Sequence, residues 1–237
     1  FLFDKSYECP VCYQGFKAKT VRSGKLRSLG TDRDLRPLYD QMEPLKYDVV
    51  ICPHCGYAAL TRFFGGLTAG QIKAIKENIS ANFHPVKEEK ETYTYEEALY
   101  RYKLCLANTI VKHGKVSEKA YICLKAGWLL RSMGENLDPA VEDYNKKIQE
   151  IKEQEKDFLK NALDGLITAR QTESYPICGM DEVTLEYLIA VLAMEFEKYD
   201  ISSRLIYNIL NTPTVNNRIK DKAREVKDEL LQQMGKK

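Results

Sequence analysis

Two short segments, Cys9-Pro10-Val11-Cys12 and Cys52-Pro53-His54-Cys55-Gly56, carry the strongest chemical signal in the chain. Two thiolates three residues apart can grip one side of a tetrahedral ion only if the backbone turns tightly and aims its N–H groups at the sulfurs. Proline after the first cysteine fixes φ for that turn, and Gly56 can take the left-handed conformation that follows it. Four thiolates would fill a tetrahedral coordination sphere and leave no position for water or substrate, so a structural zinc ion bound by Cys9, Cys12, Cys52 and Cys55 is expected. A rubredoxin-like iron site uses similar knuckles, but its first pair is normally followed closely by glycine, and here Tyr13 stands in that place. A dithiol redox pair would require the two motifs to act independently. His54 lies inside the second knuckle, where four thiolates leave it a bystander.

The remaining candidates carry weaker signals. Lys17, Lys19, Arg22, Lys25, Arg27, Arg33 and Arg36 form a basic cluster opposed by Asp32 and Asp34. Nucleic-acid contact through Lys25, Arg27 and Arg33 is one reading, and a solvated face that softens the charge of the thiolates is the commoner one. The alternating charges from Thr31 to Tyr39 fit a salt-bridge network holding an insertion to the ribbon. Arg101, Asn108 and Lys112 share a helix face and could line a peptide groove, although such faces are more often solvated. Cys105 and Cys123 read as small buried hydrophobes, and Cys178 sits in a loop without a neighbouring base. His84 and His113 fall at helix ends. Paired carboxylates, a phosphate loop and a Ser-His-Asp order are all missing, so the expectation is a protein that is not an enzyme.

Positioning these residues takes a chain of 237 residues with 44% hydrophobic content, enough to bury a real core. Its 36 basic and 34 acidic residues give no global field that would mark a nucleic-acid or membrane protein. The apolar run from Tyr187 to Met194 is far short of the roughly 18 residues that span a bilayer. Phe1-Leu2-Phe3 meets Asp4 and Lys5 too soon for an export signal, although residue 1 is not Met and native residues can precede it. Seven cysteines, four of them paired by spacing, favour metal over disulfides and a cytoplasmic location.

The expected fold class is α+β, mainly α. Residues 1–60 form a zinc-ribbon-like domain, 61–91 a helix and linker, and 92–237 an all-α tetratricopeptide-like helical domain. Tyr47, Val49 and Ile51 alternate as a strand into the second knuckle, and Ser23-Gly24 could turn a hairpin between Lys17–Val21 and Lys25–Leu29. Thr68 to Gln71 has capping-box spacing before Ile72, Ile75 and Ile79, and the polar run from Val86 to Glu91 marks a boundary. Helices follow from Thr94 onward: one with Leu99, Tyr102, Leu106 and Ile110 on a face, and one capped by Ser117. A long one is expected to start at Asp138-Pro139, with a narrow stripe from Val141 to Ala169. Three more carry Leu185 to Tyr199, Ile201 to Leu210, and Ile219 to Met234.

The two knuckles, the Asp32-Arg33-Asp34-Leu35-Arg36-Pro37-Leu38-Tyr39 segment, the second knuckle's extension through Tyr57-Ala58-Ala59, and Ala126-Gly127-Trp128-Leu129-Leu130-Arg131 resemble an uncharacterised bacterial family, domain of unknown function 2225. The resemblance covers nearly the whole chain. It implies a bacterial, intracellular protein with metal-binding cysteines and a tetratricopeptide-like second half, and it implies no activity. The function expected from the residues is a non-catalytic adaptor with a protein partner. A nucleic-acid-associated ribbon factor and an iron or redox protein are the alternatives.

Overall fold

A computed structural model describes residues 1–85 and 91–235. The boundary expected at Val86 to Glu91 therefore falls largely outside the described residues. Three two-stranded antiparallel hairpins and seven α-helices are present among them, an α+β fold that is mainly α. None of these helices is long and apolar enough to cross a membrane.

Each knuckle joins two strands. β1 (Leu2–Glu8) pairs with β2 (Gly15–Val21) in a register running from Leu2 opposite Val21 to Glu8 opposite Gly15, and the first cysteine pair makes the turn between them. That pairing corrects the hairpin expected around Ser23-Gly24: those residues form a 3-10 turn. Beyond it, β3 (Ser28–Thr31) pairs instead with β4 (Pro37–Tyr39). The knuckle reverses the chain before Ser23-Gly24 has a chance to. β5 (Val49–Ile51) and β6 (Ala58–Leu60) flank the second cysteine pair in the same way.

Thr68 caps α1 (Ala69–Asn78) through a complete capping box with Gln71, and Thr94 with Glu97 does the same for α2 (Tyr95–Val111). On α2 the expected apolar face holds at Leu99 and Tyr102 but not at Ile110, which is 54% exposed. α3 (Val116–Glu135) starts without the expected Ser117 cap. Ser117 lies inside the first turn, where its N–H and hydroxyl both donate to Glu173 from the far end of α4 (Tyr144–Thr172). α4 begins five residues past Pro139, because Asp143 takes φ 58° and Asp138 accepts from Ala140 N in a separate turn. Its stripe of Ile151, Leu159, Ala162, Leu163, Leu166 and Ala169 is buried against α3. There Gly165 approaches so closely that a Cβ on it would lie 2.7 Å from Ala120 Cβ.

α5 (Glu182–Glu195) is the central helix: ten consecutive residues, Leu185 to Met194, are buried, as expected of a helix apolar on all sides. Its one buried charge, Glu186, accepts from Arg170 of α4. Tyr199 belongs to the next helix, α6 (Tyr199–Asn211), whose Ser202 donates to Ala190 O at 2.7 Å. α7 (Asn217–Met234) packs through Ala223, Val226 and Leu230. Leu45, Val49, Ala58 and Leu60 share one hydrophobic core with these helices, and a second, smaller core surrounds the cysteines.

Candidate metal centre

The two knuckles repeat each other atom by atom. In the first, Cys9 N donates to Gln14 O and Tyr13 N to Cys9 O; in the second, Cys52 N donates to Tyr57 O and Gly56 N to Cys52 O. The residue after each pair is left-handed, with φ 62° at Tyr13 and 73° at Gly56. Tyr13 thus adopts the conformation that the sequence pattern reserves for glycine. The backbone N–H of Val11 donates to the Cys9 sulfur at 3.4 Å.

These turns bring the four sulfurs together. All lie within 4.8 Å of one another, with Cys9 to Cys55 and Cys12 to Cys52 each at 3.6 Å. A disulfide needs about 2.05 Å, whereas bonds of about 2.3 Å to a tetrahedral ion put sulfurs about 3.8 Å apart. All four cysteines are free thiols, so the donors and their spacing fit a single tetrahedral metal ion. Cys9 and Cys52 are fully buried and Cys55 is 7% exposed.

Electrostatics at such a cluster suits a cation. Hydrogen bonds from Cys52 and Cys55 favour a thiolate at Cys9, pulling it down to about 2. The same contacts work against Cys55: its hydrogen bonding with Cys52 and Cys9, then burial, push it well above the ordinary thiol range. Crowded sulfurs without a positive charge tolerate one anion at most comfortably, and a divalent ion removes that penalty.

An apolar shell covers the site on the side away from the partly exposed Cys12. Tyr7, Phe16, Tyr57 and Phe64 pack with ring centroids 5.1 to 5.9 Å apart, Tyr57 donates to Phe64 O, and Ile75 of α1 is fully buried beside them. His54 is exposed, outside the cluster.

The other candidate residues are dispersed. Lys25 and Arg27 are exposed near the β2–β3 turn, while Arg33 forms an ion pair with Glu229 of α7. Lys19 pairs with Asp4 at 2.9 Å, and the Arg22 guanidinium sits 4.9 Å from the Phe3 ring centroid. Arg36 is 3% exposed and bonds to Asp32 at 2.5 Å, Ser132 at 2.9 Å and Glu135 at 2.7 Å. The charge alternation from Thr31 to Tyr39 is therefore a salt-bridge network, but one that ties the insertion to α3 and α4, since Arg131 bridges Asp34 and Glu155.

Arg101, Asn108 and Lys112 do share a face of α2, and that face is covered instead of open: they are 4%, 0% and 5% exposed. Arg101 donates to Val49 O at 3.4 Å, Asn108 to Gly56 O at 3.1 Å, and Lys112 to Glu118 at 2.7 Å. The chain's own strands and second knuckle occupy the place expected of a peptide ligand. Nothing in the spacing of three polar residues distinguishes a groove from a face that binds the chain's own carbonyls. Cys105 and Cys123 are buried, as expected. Burial pushes Cys178 up to about 11, and its thiol donates to Ser117 O.

Residues 2–230 match the model of a family described as an uncharacterised protein conserved in bacteria, DUF2225. No curated protein and no solved structure matches the chain.

Proposed function

We propose, on the premise that the chain belongs to this bacterial family of uncharacterised proteins, that it is a non-catalytic protein-interaction adaptor stabilised by one zinc ion. The observation that carries this reading is the four-sulfur cluster of Cys9, Cys12, Cys52 and Cys55, buried except at the partly exposed Cys12. An ion held by four sulfurs has no open position for a substrate or an activated water, which suits a structural role. Zinc suits the site because it takes tetrahedral thiolate coordination without redox chemistry, and iron is the competing ion.

Interaction is the simplest use of the rest of the chain. The successive hairpins α3–α4 and α5–α6, followed by α7, read as a tetratricopeptide-like stack, a shape that offers extended surfaces to partners. Tyr207 on α6 and Leu231 on α7 are 67% and 60% exposed, large apolar side chains of the kind that anchor protein contacts. The basic cluster supports nucleic-acid binding less well, since Lys19, Arg33 and Arg36 are spent on internal carboxylates. Anisotropy titration with mixed oligonucleotides at about 150 mM salt, alongside affinity capture from the native bacterium, tests the reading. A stoichiometric protein partner with no oligonucleotide binding is expected. Submicromolar oligonucleotide binding that falls on replacing Lys25, Arg27 and Arg33 would overturn it.

A further inference from the structure

We infer that Asn108 of α2 is the positioning residue of the second knuckle, so that the metal centre and α2 keep or lose their order together. The inference rests on the four cysteines binding a metal ion.

Asn108 is fully buried in the last turn of α2. Its Nδ2 donates both to Gly56 O at 3.1 Å and to Leu104 O at 2.9 Å. With both donors on carbonyls, its Oδ1 is left buried without a partner. A buried orphan acceptor is costly and calls for an explanation. The explanation lies at the other end of the amide: one N–H reaches across to Gly56 O while the other bonds back one helical turn to Leu104 O, which fixes the amide's orientation. A carboxylate there would repel both carbonyls.

Gly56 is the residue on which the knuckle closes. Its N–H donates to Cys52 O at 3.0 Å and so closes the turn that carries the pair. On its other side a Cβ would lie 2.5 Å from Phe83 ring carbons. Gly56 is thus pinned between Phe83 and Asn108. Around this point α2 contacts the ribbon again through Arg101 on Val49 O, and α1 through Gln71 on Lys112 O at 3.2 Å. Groups that orient metal ligands in this indirect way typically contribute 10- to 100-fold in metal affinity.

The test uses the full chain loaded with zinc, and separately with cobalt(II), whose absorption reports the geometry of a four-sulfur site. Asn108→Ala is expected to release zinc to a chelator about tenfold faster than wild type and to shift the cobalt bands. Asn108→Ser, which can still satisfy Leu104 O, provides the same comparison if the alanine variant does not fold. Ser202→Ala is the control, because it removes an equally buried hydrogen bond between α5 and α6. Wild-type release rates and unshifted spectra in both Asn108 variants would overturn the inference and leave the metal reading standing. Equal acceleration in Ser202→Ala would also overturn it, as a general loss of stability. Failure of the wild-type chain to take up either metal would overturn the metal reading itself, and this inference with it.

Discussion

Trp128 donates its indole N–H to Asp34 at 2.9 Å, joining α3 to the β3–β4 hairpin across 94 positions of sequence. Asp34 is 3% exposed and also accepts from Arg131 at 2.9 Å, so this carboxylate organises the contact between insertion and helices. Trp128→Phe keeps the ring packing but leaves the carboxylate short of one donor. It is expected to cost about 1–3 kcal/mol in denaturant unfolding. Metal content should not change, because the contact lies outside the cysteine cluster. An unchanged unfolding midpoint would mean that the indole bond adds nothing to packing.

Gly56→Ala tests the second knuckle from the backbone. A left-handed residue with a Cβ costs roughly 1–2 kcal/mol, and here the Cβ also meets Phe83 at 2.5 Å. The variant should lose metal to a chelator faster than wild type, with the loss partly relieved by adding Phe83→Ala. Retention equal to wild type would show that the knuckle can shift without harm to the site.

Asp181 caps α5 by accepting from Thr184 N at 2.8 Å. Hydrogen bonding to Thr184 holds this carboxyl below its ordinary value of 3.8. The ionised form is therefore favoured by folding, and its contribution is present above 3.8 and lost as pH falls through the lower folded-state value. Asp181→Ala should destabilise by about 0.5–2 kcal/mol at neutral pH, and Asp181→Asn by less. Urea titrations across pH should show the gap between wild type and Asp181→Ala narrowing below pH 3.8; a gap that widens on acidification would contradict the sign.

The parts of this structure that were legible in the sequence are those set by local spacing. The cysteine pairs with their prolines announce two turns, Thr68 and Thr94 stand three residues before the side chains that complete their caps, and the buried stripe of α4 follows its helical period. What was not legible depends on partners far away in the chain. Leu2 to Glu8 does not alternate cleanly, since Asp4, Lys5 and Ser6 interrupt it, and it becomes a strand because β2 returns beside it after the knuckle. Arg101, Asn108 and Lys112 look like a solvated or ligand-binding face until the carbonyls of Val49 and Gly56 are placed against it. Ser117 has the composition of a cap, but the carboxylate of Glu173 takes over the helix start from 56 residues away.

The central claim is that Cys9, Cys12, Cys52 and Cys55 hold one zinc ion. Elemental analysis of the chain purified without added metal, with free thiols counted before and after denaturation, tests it most directly. About one zinc per chain, little iron, and four thiols that react only once the metal is removed, besides the buried Cys105 and Cys123 that denaturation exposes, are the expected result. A red protein with stoichiometric iron would contradict the identity of the ion, and a metal-free chain with all four thiols reactive in the folded state would contradict the site.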